Sequence, residues 1–269
     1  MNIIREPLSF YVEKLERGEP FTSLLYGDGE FMVAAGKVTG RTMQNGEVVT
    51  PELAVEMRAT LIDFQDGSSP PIYRATDPFI TDPSTYGGRD VESVKQMHEN
   101  MVAVGGHITD WYDGTVWEKA AMGPEIRAQA GFAEYVGDLE PLIKALNSRD
   151  VVMVANSTLM DHIPIKVGSL VDQMFIPKTN AVAILDKVYE NLLPMWGVGE
   201  DPVYVVCAGM MTIPLLMRLR RRNPHATYLD LGSTFDIFAR IGSRGWQQEL
   251  YQDEAKYQEL IRKHLEGAK

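Results

Sequence analysis

One cysteine, Cys207, stands in 269 residues, which excludes a disulfide framework and any all-cysteine zinc or iron–sulfur cluster. Long apolar runs are missing too: nowhere do about 18 apolar residues follow one another, as a membrane-spanning helix requires. Between Met1 and Pro20 no basic stretch leads into an apolar one, so no secretory signal is expected and the chain reads as cytoplasmic. Positive charge is in deficit, with 26 Lys and Arg against 37 Asp and Glu and a formal charge of −11. Such a chain repels phosphate backbones, which argues against tight sequence-independent binding of nucleic acid, although a local basic patch is compatible with it. Internal repeats and low-complexity tracts are absent. So are a Walker A loop, a His-Glu-x-x-His helix and a Gly-x-Ser-x-Gly elbow, which removes the P-loop ATPase, zincin and α/β-hydrolase readings.

What is present is the composition of a globular protein, 45% hydrophobic and long enough to bury its own core. Val151 to Ala155 is an apolar run of strand length closing on Asn156 and Ser157. Met174 to Ile176 precedes Pro177, Val203 to Cys207 closes on Ala208 and Gly209, and Thr227 to Leu231 ends at Gly232 and Ser233. Between these runs, Ala181 to Leu193 and Thr212 to Arg222 carry helical spacing. Apolar strands alternating with helices indicate an α/β protein with a Rossmann-like, mostly parallel sheet and helices on both faces. Ligands in such sheets bind at the carboxyl ends of the strands. The chain is read as a single domain: 1–145 with a Gly-Asp-Gly-Glu motif and acceptor-side insertions, 146–245 as the regular β/α half, and 246–269 as a closing amphipathic helix. In the first part, Phe21 to Tyr26 reads as a strand, Pro51 to Phe64 and Val91 to Val104 as helices, Thr39 to Thr50 as a hairpin or flap, and Asp66 to Gly88 as a long irregular connection.

The sharpest local feature is Gly27-Asp28-Gly29-Glu30 directly after a strand. Two carboxylates at i and i+2 around a glycine can turn toward one point and clamp a hard cation such as Mg²⁺ or Mn²⁺; an ordinary tight turn has the same letters. A dinucleotide fingerprint is rejected because Glu30-Phe31-Met32 follows and the third glycine is missing. Ala208 and Gly209 open a helix with small residues, which admits a phosphate to the free N–H groups or simply packs strand against helix. Cys207 beside them is expected to be a small buried filler. Asp230 falls inside an apolar strand and so asks for a partner. Lys178 can meet a diphosphate or stand in solvent. His107, Asp110 and Asp113 lie within seven residues and are candidates for acceptor-side or general-base chemistry, in a stretch that reads as a loop. The basic run Arg218 to Arg222 suits a helix C-terminus and needs no nucleic acid.

The order of these features resembles the GT-D fold glycosyltransferases, a family formerly catalogued as a domain of unknown function. The resemblance rests on the strand ending in Gly-Asp-Gly-Glu, the Cys207-Ala208-Gly209-Met210 junction, and Asp230-Leu231-Gly232-Ser233 with Asp236. It spans roughly residues 20 to 240 and departs where members usually carry Arg before the aromatic residue, since Leu25 precedes Tyr26 here. It implies a nucleotide-sugar-dependent transferase with a divalent cation, Mn²⁺ or Mg²⁺, on Asp28 and Glu30. The donor is expected on Gly27, Gly29, Asn156, Ser157, Lys178, Ala208, Gly209, Gly232 and Ser233, with the base among Asp230, Asp236, Asp110 and His107. The acceptor is a hydroxyl of a saccharide, a glycosylated protein or a modified nucleobase. Two other readings stand beside it: a nucleotide-binding module without catalysis, and a metal-dependent phosphoester hydrolase.

Overall fold

Along Val151–Asn156, Val151, Met153 and Ala155 enter one core while Val152 and Val154 enter another. A strand buried on both faces needs exactly such an unbroken apolar run. Val203, Val205 and Cys207 alternate with Tyr204 and Val206 in the same way. The computed structural model describes residues 1–43, 46–62, 69–85, 91–129, 136–193 and 202–266. Its strands are β1 (Asn2–Ile4), β2 (Thr22–Tyr26), β3 (Ile72–Thr76), β4 (Asp110–Asp113), β5 (Val151–Asn156), β6 (Leu170–Ile176), β7 (Val203–Cys207) and β8 (Thr227–Asp230). They form one sheet in the order β1-β4-β3-β2-β8-β7-β5-β6, and every pairing is parallel. From β2 the chain runs outward through β3 to β4, while on the other side it runs inward from β7 to β8. β2 and β8, far apart in sequence, thus meet at the centre of the sheet, where ligands of such sheets sit beyond the carboxyl ends of the strands.

Helices cover both faces. One core is closed by α2 (Asp28–Ala34), α3 (Pro51–Ile62), α4 (Pro78–Thr81), α5 (Val91–Gly105), α9 (Leu185–Leu192) and α10 (Thr212–Arg222). The other is closed by α1 (Leu8–Arg17), α6 (Val116–Gln129, broken at Gly123), α7 (Glu140–Leu146), α8 (Ser157–Met160), α11 (Gly245–Leu250) and α12 (Glu254–Glu266). No helix among the described residues is long and apolar enough to cross a membrane.

Several elements differ from the sequence reading. Ile72–Thr76, expected to be irregular, is an interior strand of the sheet whose residues are all buried, polar Arg74 and Thr76 included. Asp110–Asp113 is a strand as well. The segment from Ala181 begins as a 3-10 turn after Asn180, which takes a left-handed conformation at φ 51°, and becomes α-helical only at Leu185. The closing helix is two helices, because the Asp253 carboxylate accepts the Lys256 N–H at 3.1 Å and restarts the chain. Residues 40–43 and 46–49 pair with each other, with an antiparallel bridge between Thr42 and Val48 and a Gly40 N–H to Val49 carbonyl bond of 2.8 Å. The Arg218–Arg222 run is structural: Arg218 pairs with Glu56 and Asp186, and Arg220 donates to the Pro70 carbonyl at 2.7 Å.

Gly114 holds the sheet together at the crevice. A Cβ there would lie 2.4 Å from Leu25 Cδ1 and 3.0 Å from the Thr76 backbone nitrogen, while its N–H donates to the Thr76 carbonyl at 2.9 Å. Leu25 can shift, but Thr76 is backbone in the middle of the sheet. Gly114→Ala is therefore expected to lower stability by about 1–3 kcal/mol, read as a fall of roughly 3–10 °C in melting temperature; an unchanged melting curve would show that β3 and β4 separate freely.

Candidate functional site

The carboxyl ends of the strands open into a cavity of about 750 Å³. β2 passes straight into α2, so Asp28, Gly29 and Glu30 are the first turn of a helix rather than a hairpin-like turn. Glu30 bends back and its Oε2 accepts the Gly27 N–H at 2.9 Å, the reach-back bond of an N-terminal cap. Asp28 stays exposed. Burial, with Asp28 nearby, pushes the Glu30 carboxyl up to about 6.

Asp230 finds the partners its burial demanded. Oδ2 accepts the Leu25 N–H at 3.1 Å and Oδ1 the Gly232 N–H at 3.0 Å, so the side chain ties β2 to the loop after β8. Burial and the charge of Glu30 push it up to about 7. With both oxygens engaged by backbone, Asp230 is a structural tie rather than a free base. Asp236 is also held, by the Ser243 hydroxyl at 2.5 Å.

At the β7 junction the structure places a carboxylate where a phosphate was expected. Glu47, carried by the 46–49 segment and 5% exposed, accepts the Met210 N–H on Oε1 at 3.3 Å. The Ala208 N–H is taken by Thr212 Oγ1 at 3.0 Å. Gly209 has φ 57°, and a Cβ there would meet Glu47 Oε1 at 2.9 Å, so this residue is glycine for both conformation and space. Burial and Glu30 raise Glu47 to about 7. Burial also drives the Cys207 thiol well up, which fits an inert filler and not a reactive thiolate.

The remaining expected residues divide by position. Gly27, Gly29, Asn156, Lys178, Ala208, Gly209, Gly232 and Ser233 all line the cavity. Asn156 simultaneously caps α8, accepting the Leu159 N–H at 3.0 Å, while Ser157 is exposed as the first residue of α8 and does not line it. His107 and Asp110 do not line the cavity. They sit before and at the amino end of β4, whereas the cavity opens at its carboxyl end. His107 Nε2 bonds the Leu61 carbonyl at 2.9 Å, and Asp110 accepts the Asn2 amide at 2.9 Å.

Four charged cavity residues escaped the sequence reading: Glu47, Asp77, Glu118 and Arg244. Their only sequence signal is position, Asp77 and Glu118 lying just past strands that were themselves missed. Among the described residues the lining has seven carboxylates, with Asp28, Glu30, Asp230 and Asp236 making up the set, against Lys178 and Arg244. Burial and mutual repulsion raise Glu30, Glu47, Asp77, Asp230 and Asp236 together. An oxygen-rich, undercompensated wall of this kind fits a hard divalent cation. No three His, Cys, Asp or Glu are grouped as a ready-made metal cage among the described residues. The fit is therefore to a cation held by one or two carboxylates and completed by substrate phosphate and water, the usual arrangement for Mg²⁺.

Comparison with solved structures adds the class of fold. The chain superposes on a structure described as a new glycosyltransferase (DUF1792) from Streptococcus sanguinis, with TM-score 0.63 and 13% identity over 93% of this chain and 85% of that one. Two further structures of domain of unknown function 1792, one described as having a distinct glycosyltransferase fold, match at TM-score 0.61 and 12% identity over 96% of this chain and 89% of theirs. The fold is thus the α/β glycosyltransferase fold of those structures. No protein-family model matches the sequence. No curated protein matches it either.

Proposed function

We propose that this chain is a glycosyltransferase that takes a sugar from a nucleoside diphosphate sugar, with a divalent cation, and delivers it to a hydroxyl acceptor. The observation that carries the reading is the acidic cavity at the carboxyl ends of β2, β7 and β8, built on the fold of glycosyltransferase structures. Asp28 and Glu30 would hold the cation, which when bound offsets the charge of the departing diphosphate. Lys178, in the lining of the same cavity, would meet that diphosphate. The half of the cavity beside β3 and β4 carries Asp77, Glu118 and Asp236 with one guanidinium, Arg244. That charge balance suits a neutral polyhydroxyl acceptor and repels a phosphate backbone, which favours a saccharide over a nucleobase within a nucleic acid.

The test is thermal shift against nucleoside diphosphates and their sugars, with and without Mn²⁺. A specific ligand at about 100-fold excess over its dissociation constant adds roughly 2.7 kcal/mol. Glu30→Gln keeps an acceptor for the Gly27 N–H, and Asp28 is exposed, so Glu30→Gln and Asp28→Asn are expected to melt within about 2 °C of the parent while losing the metal-dependent shift. If no nucleotide stabilises the parent, or both variants keep its full shift, the reading fails.

A further inference from the structure

The cavity carboxylates differ in how far the protein already holds them. Glu30, Glu47, Asp230 and Asp236 each accept a hydrogen bond from the protein. Glu118 accepts the Trp246 indole N–H at 2.8 Å and pairs with Arg244 at 3.2 Å. Asp28 is exposed at the start of α2. Asp77 alone is partly buried in the cavity wall with no hydrogen bond to its carboxylate among the described residues.

Its idleness is unusual. Asp77 occupies the N-cap of α4, where an aspartate ordinarily accepts an N–H of the first turn, yet it makes no such bond. The backbone carbonyl of Asp77 takes the Ile80 N–H instead, at 2.9 Å. β2 and β3 run in register, Tyr26 opposite Thr76, so Gly27-Asp28 and Asp77 leave the sheet side by side, about one strand spacing apart. A carboxylate spared from capping thus stands next to the donor end of the crevice, on its acceptor side.

We propose that Asp77 is the general base of the transfer, an assignment that rests on the glycosyltransferase reading. The Asp77 carboxylate takes the proton of the acceptor hydroxyl as its oxygen forms the new bond to the anomeric carbon. The bond from that carbon to the diphosphate breaks, its electron pair leaving with the diphosphate, and the configuration inverts. Burial raises the proton affinity of Asp77, as do Glu118 and Asp113 around it, while Arg244 and Lys119 lower it. The balance puts the carboxyl at about 6, within reach of a base working near neutral pH.

The experiment needs no acceptor beyond water. Parent, Asp77→Asn, Asp77→Glu and Glu118→Gln are given the nucleoside diphosphate sugars of the thermal-shift panel with Mn²⁺. Donor affinity is measured by calorimetry and hydrolysis by release of nucleoside diphosphate across pH. Asp77→Asn is expected to bind donor within about threefold of the parent and to lose about 10²-fold or more of the rate, together with the acid limb near pH 6. Asp77→Glu and Glu118→Gln keep that limb at reduced rate. Parent-like hydrolysis by Asp77→Asn with donor still bound, or a first-released sugar of retained configuration by NMR, overturns the assignment and leaves the transferase reading standing. Absence of any donor binding by the parent overturns both.

Discussion

Asp230→Ala is expected to lower the melting temperature by roughly 5–15 °C. The carboxylate is 4% exposed and satisfies two backbone N–H groups, Leu25 on β2 and Gly232 after β8. Alanine leaves both donors in a space that water reaches poorly, at about 1–3 kcal/mol each. β2 and β8 are the central pair of the sheet, joined in register at only Thr22 with Tyr228 and Ser23 with Leu229, so the side chain stands in for the ladder bonds that are missing beyond that point. Asp230→Asn keeps one acceptor and turns an N–H₂ toward the other donor, and is expected to lose nearly as much. A fall below about 2 °C in the alanine variant would mean that solvent replaces the carboxylate and that the tie is dispensable. Asp77→Asn gives the opposite pattern, with little change in melting and a large change in rate.

The second large effect is on pH. A carboxyl whose pKa rises on folding contributes stability that is complete below its unfolded value and is lost as pH climbs through the folded one. Asp230 goes from 3.8 to about 7 and Glu47 from 4.5 to about 7, both nearly inaccessible. The ligand-free protein is therefore expected to melt lower at about pH 8 than at about pH 5, by several degrees, as these buried groups ionise beside Glu30. His264 works the other way. It is buried against the Ala121 carbonyl at 2.9 Å and its pKa is lowered by burial, so its share is present above its usual value and fades at lower pH. One histidine opposes several carboxyls, and the net slope is set by the carboxyls. A melting temperature that is flat or rises over this range would show that the cavity charges are already compensated. Added Mn²⁺ at about pH 8 should recover part of the loss if the proposed cation site exists.

These expectations show what the letters alone could carry. β5, β7 and β8 were legible because an interior parallel strand demands an unbroken apolar run, and the cavity residues at their ends followed from that. β3 was hidden by the polar residues Arg74 and Thr76; the burial of Arg74 depends on a partner elsewhere, the Thr60 carbonyl, to which it donates at 3.0 Å. With β3 lost, Asp77 could not be placed at a strand end. The short strand Asp-Trp-Tyr-Asp drew attention to Asp110 for its chemistry, when the direction of β4 sends Asp110 away from the crevice and Asp113 toward it. Glu118 lies far from Asp28 along the chain and shares the cavity with it only through strand order, while Glu47 is carried there by the Thr42–Val48 pairing. Spacing finds residues that share one turn; it does not find residues gathered by a sheet.

The pairing of β2 with β8 also governs the order in which the molecule can be made. The Leu25 to Asp230 bond spans 205 positions, so on the ribosome β2, β3 and β4 are complete long before β2 acquires its second neighbour. Until residues 227–230 emerge, one edge of that early half-sheet remains unpaired, an invitation to wrong partners in a crowded cell. Closure of so distant a contact comes late and slowly. The crevice, whose two walls meet at that pairing, takes shape only in the final stage of folding.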